Sequence, residues 1–187
     1  MSVSQLADID KQVRAVSDRA RMVVQRAGEA RVTERPAPDK WSVAECMVHL
    51  CLSAEAYFPV WSEALSKARA EGLTSESPFK KDFWGKALSW LLEPPPKFRS
   101  SAPAAFKPVE TGPADLVLPK FLACQDRWLA VIAESHGLAL DRLKIVSPFD
   151  GRVRYSVWSS FCVAAAHHRR HLCQAERAAD VLTSARH

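Results

Sequence analysis

From Tyr155 to Leu182 the chain contains neither glycine nor proline. Within that stretch Ser160, Val163, His167, His171, Gln174, Ala178 and Val181 recur at three- and four-residue steps. This run constrains the fold more than any other feature. The periodicity demands one long helix with a single inner stripe, and such a helix is stable only when other elements cover that stripe.

Two further segments supply partners of similar length. Over the first thirty residues Leu6, Ile9, Val13, Val16, Ala20, Val23 and Ala27 form a helical stripe with charged residues between them. Gly28 weakens its end, and Arg35-Pro36-Ala37-Pro38-Asp39 breaks it. A second helix starts at Ser42. Ser42 and Glu45 fit the S-x-x-E capping box, and Trp41 and Cys46 occupy the positions of a hydrophobic staple. The pattern runs through Val48, His49, Leu52 and Ala56 to about Ala70, with a kink expected at Pro59.

Residues 71–112 read differently. Pro78, Pro94-Pro95-Pro96, Pro103 and Pro108 exclude one long element, although a short apolar helix from Phe83 to Leu92 fits before the triple proline. Phe79, Phe83, Trp84, Trp90, Phe98 and Phe106 predict that this connection packs down onto the protein. A third long helix begins near Pro113 and passes through Leu116, Phe121, Leu122, Trp128, Leu129 and Ile132, with Pro119 predicting a kink or a later start. His136-Gly137 ends it, with His136 as a cap-side residue. The loop Ser147-Pro148-Phe149-Asp150-Gly151 leads into the last helix. No strand pattern stands out. The expected fold is all-α: a single domain over residues 1–187, built as a four-helix bundle with a long Pro-rich connection between helices 2 and 3.

Composition narrows the function classes. Hydrophobic residues make up 48% and charged residues 25% of 187 residues, as in ordinary soluble domains. No stretch approaches the roughly 18 uninterrupted apolar residues of a membrane span, and no leader is evident, so no membrane partner is expected. Five cysteines without regular spacing argue against a disulfide framework and for a reducing cytoplasm. The net charge of +5 is spread along the chain, and no nucleic-acid motif with spacing rules accompanies it. DNA binding has no other support in the residues.

The chemistry concentrates in histidine. Three of the six histidines fall in His167-His168-Arg169-Arg170-His171. Residues four apart on a helix are about 5–6 Å apart on one face, so His167 and His171 are spaced to share a metal ion. His168 and His171, three apart, are the competing pair. The stripe favours His167 and His171 and assigns His168 to the rim or to solvent. His49, with Glu45, Leu52 and Ser53 on its face, is the natural third ligand. The alternative for each is a core histidine hydrogen-bonded to a neighbour. Gln174, three after His171, would orient a ligand ring or a bound water. Glu45 is a candidate general base, though the capping box already accounts for it. Cys46 is a candidate thiolate ligand or, more simply, a small buried hydrophobe. Cys173 reads as a packed neutral thiol.

At these residues the chain resembles the DinB-like superfamily. The stretch Trp41-Ser42-Val43-Ala44-Glu45-Cys46-Met47-Val48-His49-Leu50 matches a Trp-Ser-x-x-Glu-x-x-x-His-Leu motif completely. His167, His171 and Gln174 match His-x-x-x-His-x-x-Gln. Ser147-Pro148-Phe149 and Glu93-Pro94-Pro95-Pro96 are similar to one branch of the family. The resemblance implies a four-helix bundle, a His49, His167 and His171 site for a divalent metal (nickel or zinc) and a homodimer. It implies a metal-dependent enzyme acting on a small molecule, as a hydrolase or as a transferase of low-molecular-weight thiols, for whose anionic groups Arg169 or Arg170 would suit. The other reading is a non-catalytic binding or interaction module whose histidines only staple helices.

Overall fold

The computed structural model describes residues 2–97 and 102–184. Phe98 of the expected aromatic set lies outside them. The described residues form α1 (Ser2–Ala27), α2 (Val43–Ala70), α3 (Phe83–Leu92), α4 (Ala114–Glu134) and α5 (Val157–Ser184). Short 3₁₀ turns occupy Glu29–Arg31 and Ala104–Phe106, and a hairpin pairs β1 (Lys144–Val146) with β2 (Arg154–Ser156). The architecture is all-α, as expected.

The four long helices form a ring. α1 packs against α5 and α4, and α2 packs against the same two, so α4 and α5 face each other across the bundle axis. The α1 stripe behaves as its periodicity dictates, with all seven apolar positions from Leu6 to Ala27 buried. At α2 the capping box is complete: Ser42 Oγ accepts from the Glu45 N–H (3.1 Å), and Glu45 Oε2 accepts from the Ser42 N–H (2.8 Å). Pro59 and Pro119 both lie inside continuous helices, and α4 starts directly after Pro113.

Two features depart from the sequence reading. The Ser147–Gly151 loop is part of a hairpin connection, with Ile145 opposite Tyr155. Strands of three residues are too short to show alternation, so periodicity cannot reveal them. The second concerns α5. Its axis-facing stripe is Phe161, Ala165, His168, Leu172, Ala175, Ala179 and Leu182, all buried, whereas Val181 is exposed. The predicted stripe is rotated towards α2. α5 is covered by α1, α2 and α3 and faces α4 across the axis, so little of its circumference is free and burial alone does not mark one face.

The apolar core divides into two clusters. One gathers Trp61, Trp128, Tyr57, Tyr155 and Phe161; the other gathers Val43, Met47, Leu50, Phe121, Leu172 and Ala175. Between them lies a polar layer containing His49, Ser53, Gln125 and His168.

α3 lies on the outside of α5 and is seated by small residues. Gly85 and Ser89, one turn apart, face inward and are buried. A Cβ at Gly85 would come within 2.2 Å of Ser159 Oγ. Asp82 caps α3 by accepting from the Gly85 N–H (2.9 Å), and also accepts from the Ser156 N–H (2.6 Å) and Lys144 Nζ (2.8 Å). The Pro-rich connection is therefore fastened, but not by its aromatic residues as a group. Phe79 is buried and Phe106 half-buried, while Phe83, Trp84 and Trp90 are exposed. Gly85→Ala should lower unfolding stability by about 1–3 kcal/mol, the usual range for overpacking; urea denaturation of the two proteins measures it.

Candidate metal centre

α2 and α5 meet at three imidazoles. His49 Nε2 and His167 Nε2 are 3.1 Å apart. The His171 ring centroid is 4.4 Å from that of His49 and 4.6 Å from that of His167. One nitrogen from each of the three residues lies within 4.8 Å of the other two. His49 is buried; His167 and His171 are half-buried, which leaves the cluster open on the α5 side.

The ring orientations are set by partners. His49 Nδ1–H donates to the Phe106 carbonyl at 2.7 Å, which leaves Nε2 as a lone pair turned towards His167. His171 Nδ1–H donates to Gln174 Oε1 at 3.1 Å and likewise frees Nε2. Trp41 covers the group: its ring stacks on His171 (5.6 Å, 27°) and tilts against His49 (4.9 Å). It also packs on the apolar cluster containing Cys46, so the residue expected only as a staple is a wall of the histidine site as well.

The donor set fits a divalent cation. Burial pushes all three imidazole pKa values down: His49 below its ordinary value, His171 to about 3, and His167 well below, with the neighbouring histidines adding to the effect. They are therefore neutral ligands at neutral pH. Two nitrogens 3.1 Å apart and each ~2.0–2.1 Å from one ion subtend about 100°, between the octahedral and tetrahedral angles. Without an ion the same contact is a single N–H···N hydrogen bond, and it is the convergence of His171 that favours the metal.

Other candidates take different places. Glu45 is clamped by Arg35, whose Nε lies 3.0 and 2.9 Å from its two carboxylate oxygens and whose Nη2 also donates. Burial raises the Glu45 pKa, but the Arg35 and Ser42 hydrogen bonds outweigh it and hold it below the usual range. A carboxylate so occupied gives the general-base role no geometric support. Cys46 is fully buried with its thiol pushed strongly up, as suits a packed hydrophobe. Cys173 Sγ accepts from Arg19 Nη2 (3.4 Å) on the α1 side. Arg169 does not rim the histidines: it forks Glu93 (2.7 and 2.5 Å) and bonds Gln12. Arg170 is the nearer cation, since its charge helps depress His167 and His171.

His168 corrects the sequence reading most. It is 2% exposed, points across the axis onto Trp128 (4.9 Å between rings), and donates from Nδ1 to the Ala164 carbonyl (2.9 Å). The periodicity points it outward because the buried stripe of α5 lies one residue's rotation from the stripe the sequence pattern marks. Around it, His168 Nε2, Trp128 Nε1, both Gln125 amide atoms and Ser53 Oγ are buried without a hydrogen-bond partner among the described residues.

The model of the DinB superfamily matches residues 12–175. The chain belongs to the DinB superfamily. No curated protein and no solved structure matches it. His49 on α2 and His167 and His171 on α5 all fall within the matched span of this DinB-superfamily bundle. Sequence reasoning missed the Phe106 carbonyl, since a backbone acceptor has no side-chain signature. It is delivered by the Pro-rich connection and held by packing of Phe106 on Phe149 (4.6 Å), which in turn contacts Tyr57 (5.2 Å).

Two outcomes follow from this geometry. Phe149→Ala, which frees Phe106, and Gln174→Ala should each weaken divalent-metal affinity by about 10-fold or more, the usual loss when a ligand's orienting partner goes; metal titration against a chelating dye reads this. His168 supplies a pH dependence. Burial pushes its pKa down to about 4. Below the ordinary value near 6.5 the unfolded chain takes up a proton that the folded chain refuses. Stability is thus complete above about pH 6.5 and declines as pH falls towards 4. In metal-free protein, His168→Leu should reduce the stability lost between about pH 7 and pH 4.5 by about 2–3 kcal/mol, measured by urea unfolding at the two pH values.

Proposed function

We propose that His49, His167 and His171 hold one divalent ion, zinc or nickel, and that the protein uses it to transfer a low-molecular-weight thiol to a small electrophilic molecule. The observation that carries this reading is the convergence of three neutral imidazoles at an open face, two of them, His49 and His171, oriented by their own hydrogen-bond partners. Structural zinc sites close with four protein ligands, whereas three leave a position for substrate. A bound divalent ion supplies Lewis acidity and favours the thiolate form of a ligating thiol.

The remaining work falls to the chain's own residues. The Phe106 carbonyl and Gln174 fix the His49 and His171 rings. Trp41 keeps water from one side of them. Arg170 offers a positive charge at the α5 side for an anionic group on the thiol. The Glu45 carboxylate is held by Arg35 and Ser42, and this favours thiol transfer over hydrolysis: a thiol, with an ordinary pKa of about 8.5 against about 15.7 for water, would give up its proton to solvent with less help from a positioned base.

A non-catalytic module is the alternative, supported by the direct His49–His167 contact, which would staple α2 to α5 without an ion. Elemental analysis of chelator-free protein separates the readings: one metal per chain is expected. His171→Ala should then lose metal affinity by more than the ~10–100-fold typical of outer partners, together with thiol-dependent consumption of an electrophile. Metal-free protein that takes up no added metal would sink the site. Metal uptake with no thiol-dependent turnover would leave the non-catalytic module.

A further inference from the structure

α3 is mounted in reverse of an ordinary surface helix. Its small residues, Gly85 and Ser89, face the protein together with Leu88, while its three aromatic residues, Phe83, Trp84 and Trp90, face out. Phe83 is 73%, Trp90 62% and Trp84 42% exposed, on a helix of ten residues. An exposed cluster of large aromatics is a stronger signal than scattered exposed aliphatics, because it leaves a contiguous apolar patch in water. The seat is specific: Gly85 has no room for a Cβ over Ser159, and Asp82 ties the first turn to both Ser156 and Lys144. The fold holds this helix so that its aromatic face is displayed.

The charges around that face are one-sided. Residues 80–97 contain Lys80, Lys81, Lys86 and Lys97 and two acids, Asp82 and Glu93. Both acids are paired with cations from outside the segment, Lys144 and Arg169. None of the four lysines forms an ion pair among the described residues; Lys81 donates to Ser89 Oγ, and Lys97 donates to the Trp90 and Glu93 carbonyls and sits over the Trp90 ring at 4.7 Å. At the edge of the helix, Lys81, Lys86, Lys97, Trp90 and the Glu93–Arg169 pair line a cleft of about 430 Å³.

We infer that α3 docks the protein on an anionic phospholipid surface, with Phe83, Trp84 and Trp90 in the interfacial region and the lysines at headgroup level. Tryptophan rings favour the headgroup boundary, and short helices with one apolar and one cationic border lie in that plane. The edge cleft has room for a lipid phosphate beside Lys81, Lys86 and Lys97, Arg169 being held by Glu93. A second copy of the chain suits the face less well, because pairing two such helices would bring eight lysines together while the acids of both segments are already paired with Lys144 and Arg169. α3 would lie on the surface rather than cross it, and no helix among the described residues is long and apolar enough to span. This proposal departs from the expectation of no membrane partner, and it does not depend on what the histidines do.

The test uses the full chain and vesicles of phosphatidylcholine with or without phosphatidylglycerol. Co-sedimentation is expected with the anionic vesicles, weakening as salt rises, with a blue shift of tryptophan emission. Phe83→Ser combined with Trp84→Ser and Trp90→Ser should abolish binding while circular dichroism and Tm hold. Lys86→Glu with Lys97→Glu should reduce partitioning by roughly fivefold or more for each lysine. Three results would overturn the inference: no binding of the wild-type chain to anionic vesicles at low salt, undiminished binding of the aromatic triple variant, or self-association of the wild type that the triple variant loses while neither binds vesicles.

Discussion

Burying imidazole without charging it is the constraint around which this bundle is arranged. Four histidines from two helices, together with Ser53 and Gln125, lie between two apolar clusters. Each ring is neutral because burial raises the free energy of its charged form, and aromatic walls supply much of that burial. Trp41 covers His171 and His49, and Trp128 and Phe121 flank His168. The apolar clusters at either end hold the helices at the spacing that brings the Nε2 atoms of His49 and His167 to 3.1 Å. Several polar atoms of the layer remain without partners, a local destabilisation that the surrounding core has to offset.

The long connection is best understood as part of this layer. Its two ends do different things. The Ala104–Phe106 turn reaches back to α2 and gives a carbonyl to His49, with Phe106 pinned on Phe149. The α3 end turns its aromatics away from the protein altogether. A tract that looks like a single Pro-rich wrap in the sequence is thus two devices, one completing the histidine site and one presenting a surface.

The legible parts of the fold and site were those encoded by spacing and local chemistry. The α1 stripe, the Ser42–Glu45 box and the bounds of α3 follow from periodicity, capping and proline placement, which act within a few residues. Gln174 was legible for the same reason, lying one turn from the ring it orients. The hairpin was not legible, because three-residue strands leave no alternation to detect. Nor was the burial of His168. Its placement depends on how many neighbours surround α5, and a helix covered on three sides with a fourth across the axis no longer advertises one inner face.

By itself the sequence determined which side chains can act together and in what register. His167 and His171 share a face because of the helical repeat, and His49 lies one turn after a glutamate that the cap holds in position. These are consequences of bond geometry and hold in any helix of this composition. Tertiary structure alone decided what surrounds them. It put Arg35 onto Glu45, turned His168 to the axis, brought the Phe106 carbonyl to His49 from 57 positions away in the chain, and left Phe83, Trp84 and Trp90 outside. Those outcomes depend on packing between distant segments, where a backbone carbonyl, a missing Cβ at Gly85 or a neighbouring helix carries no mark in the local sequence.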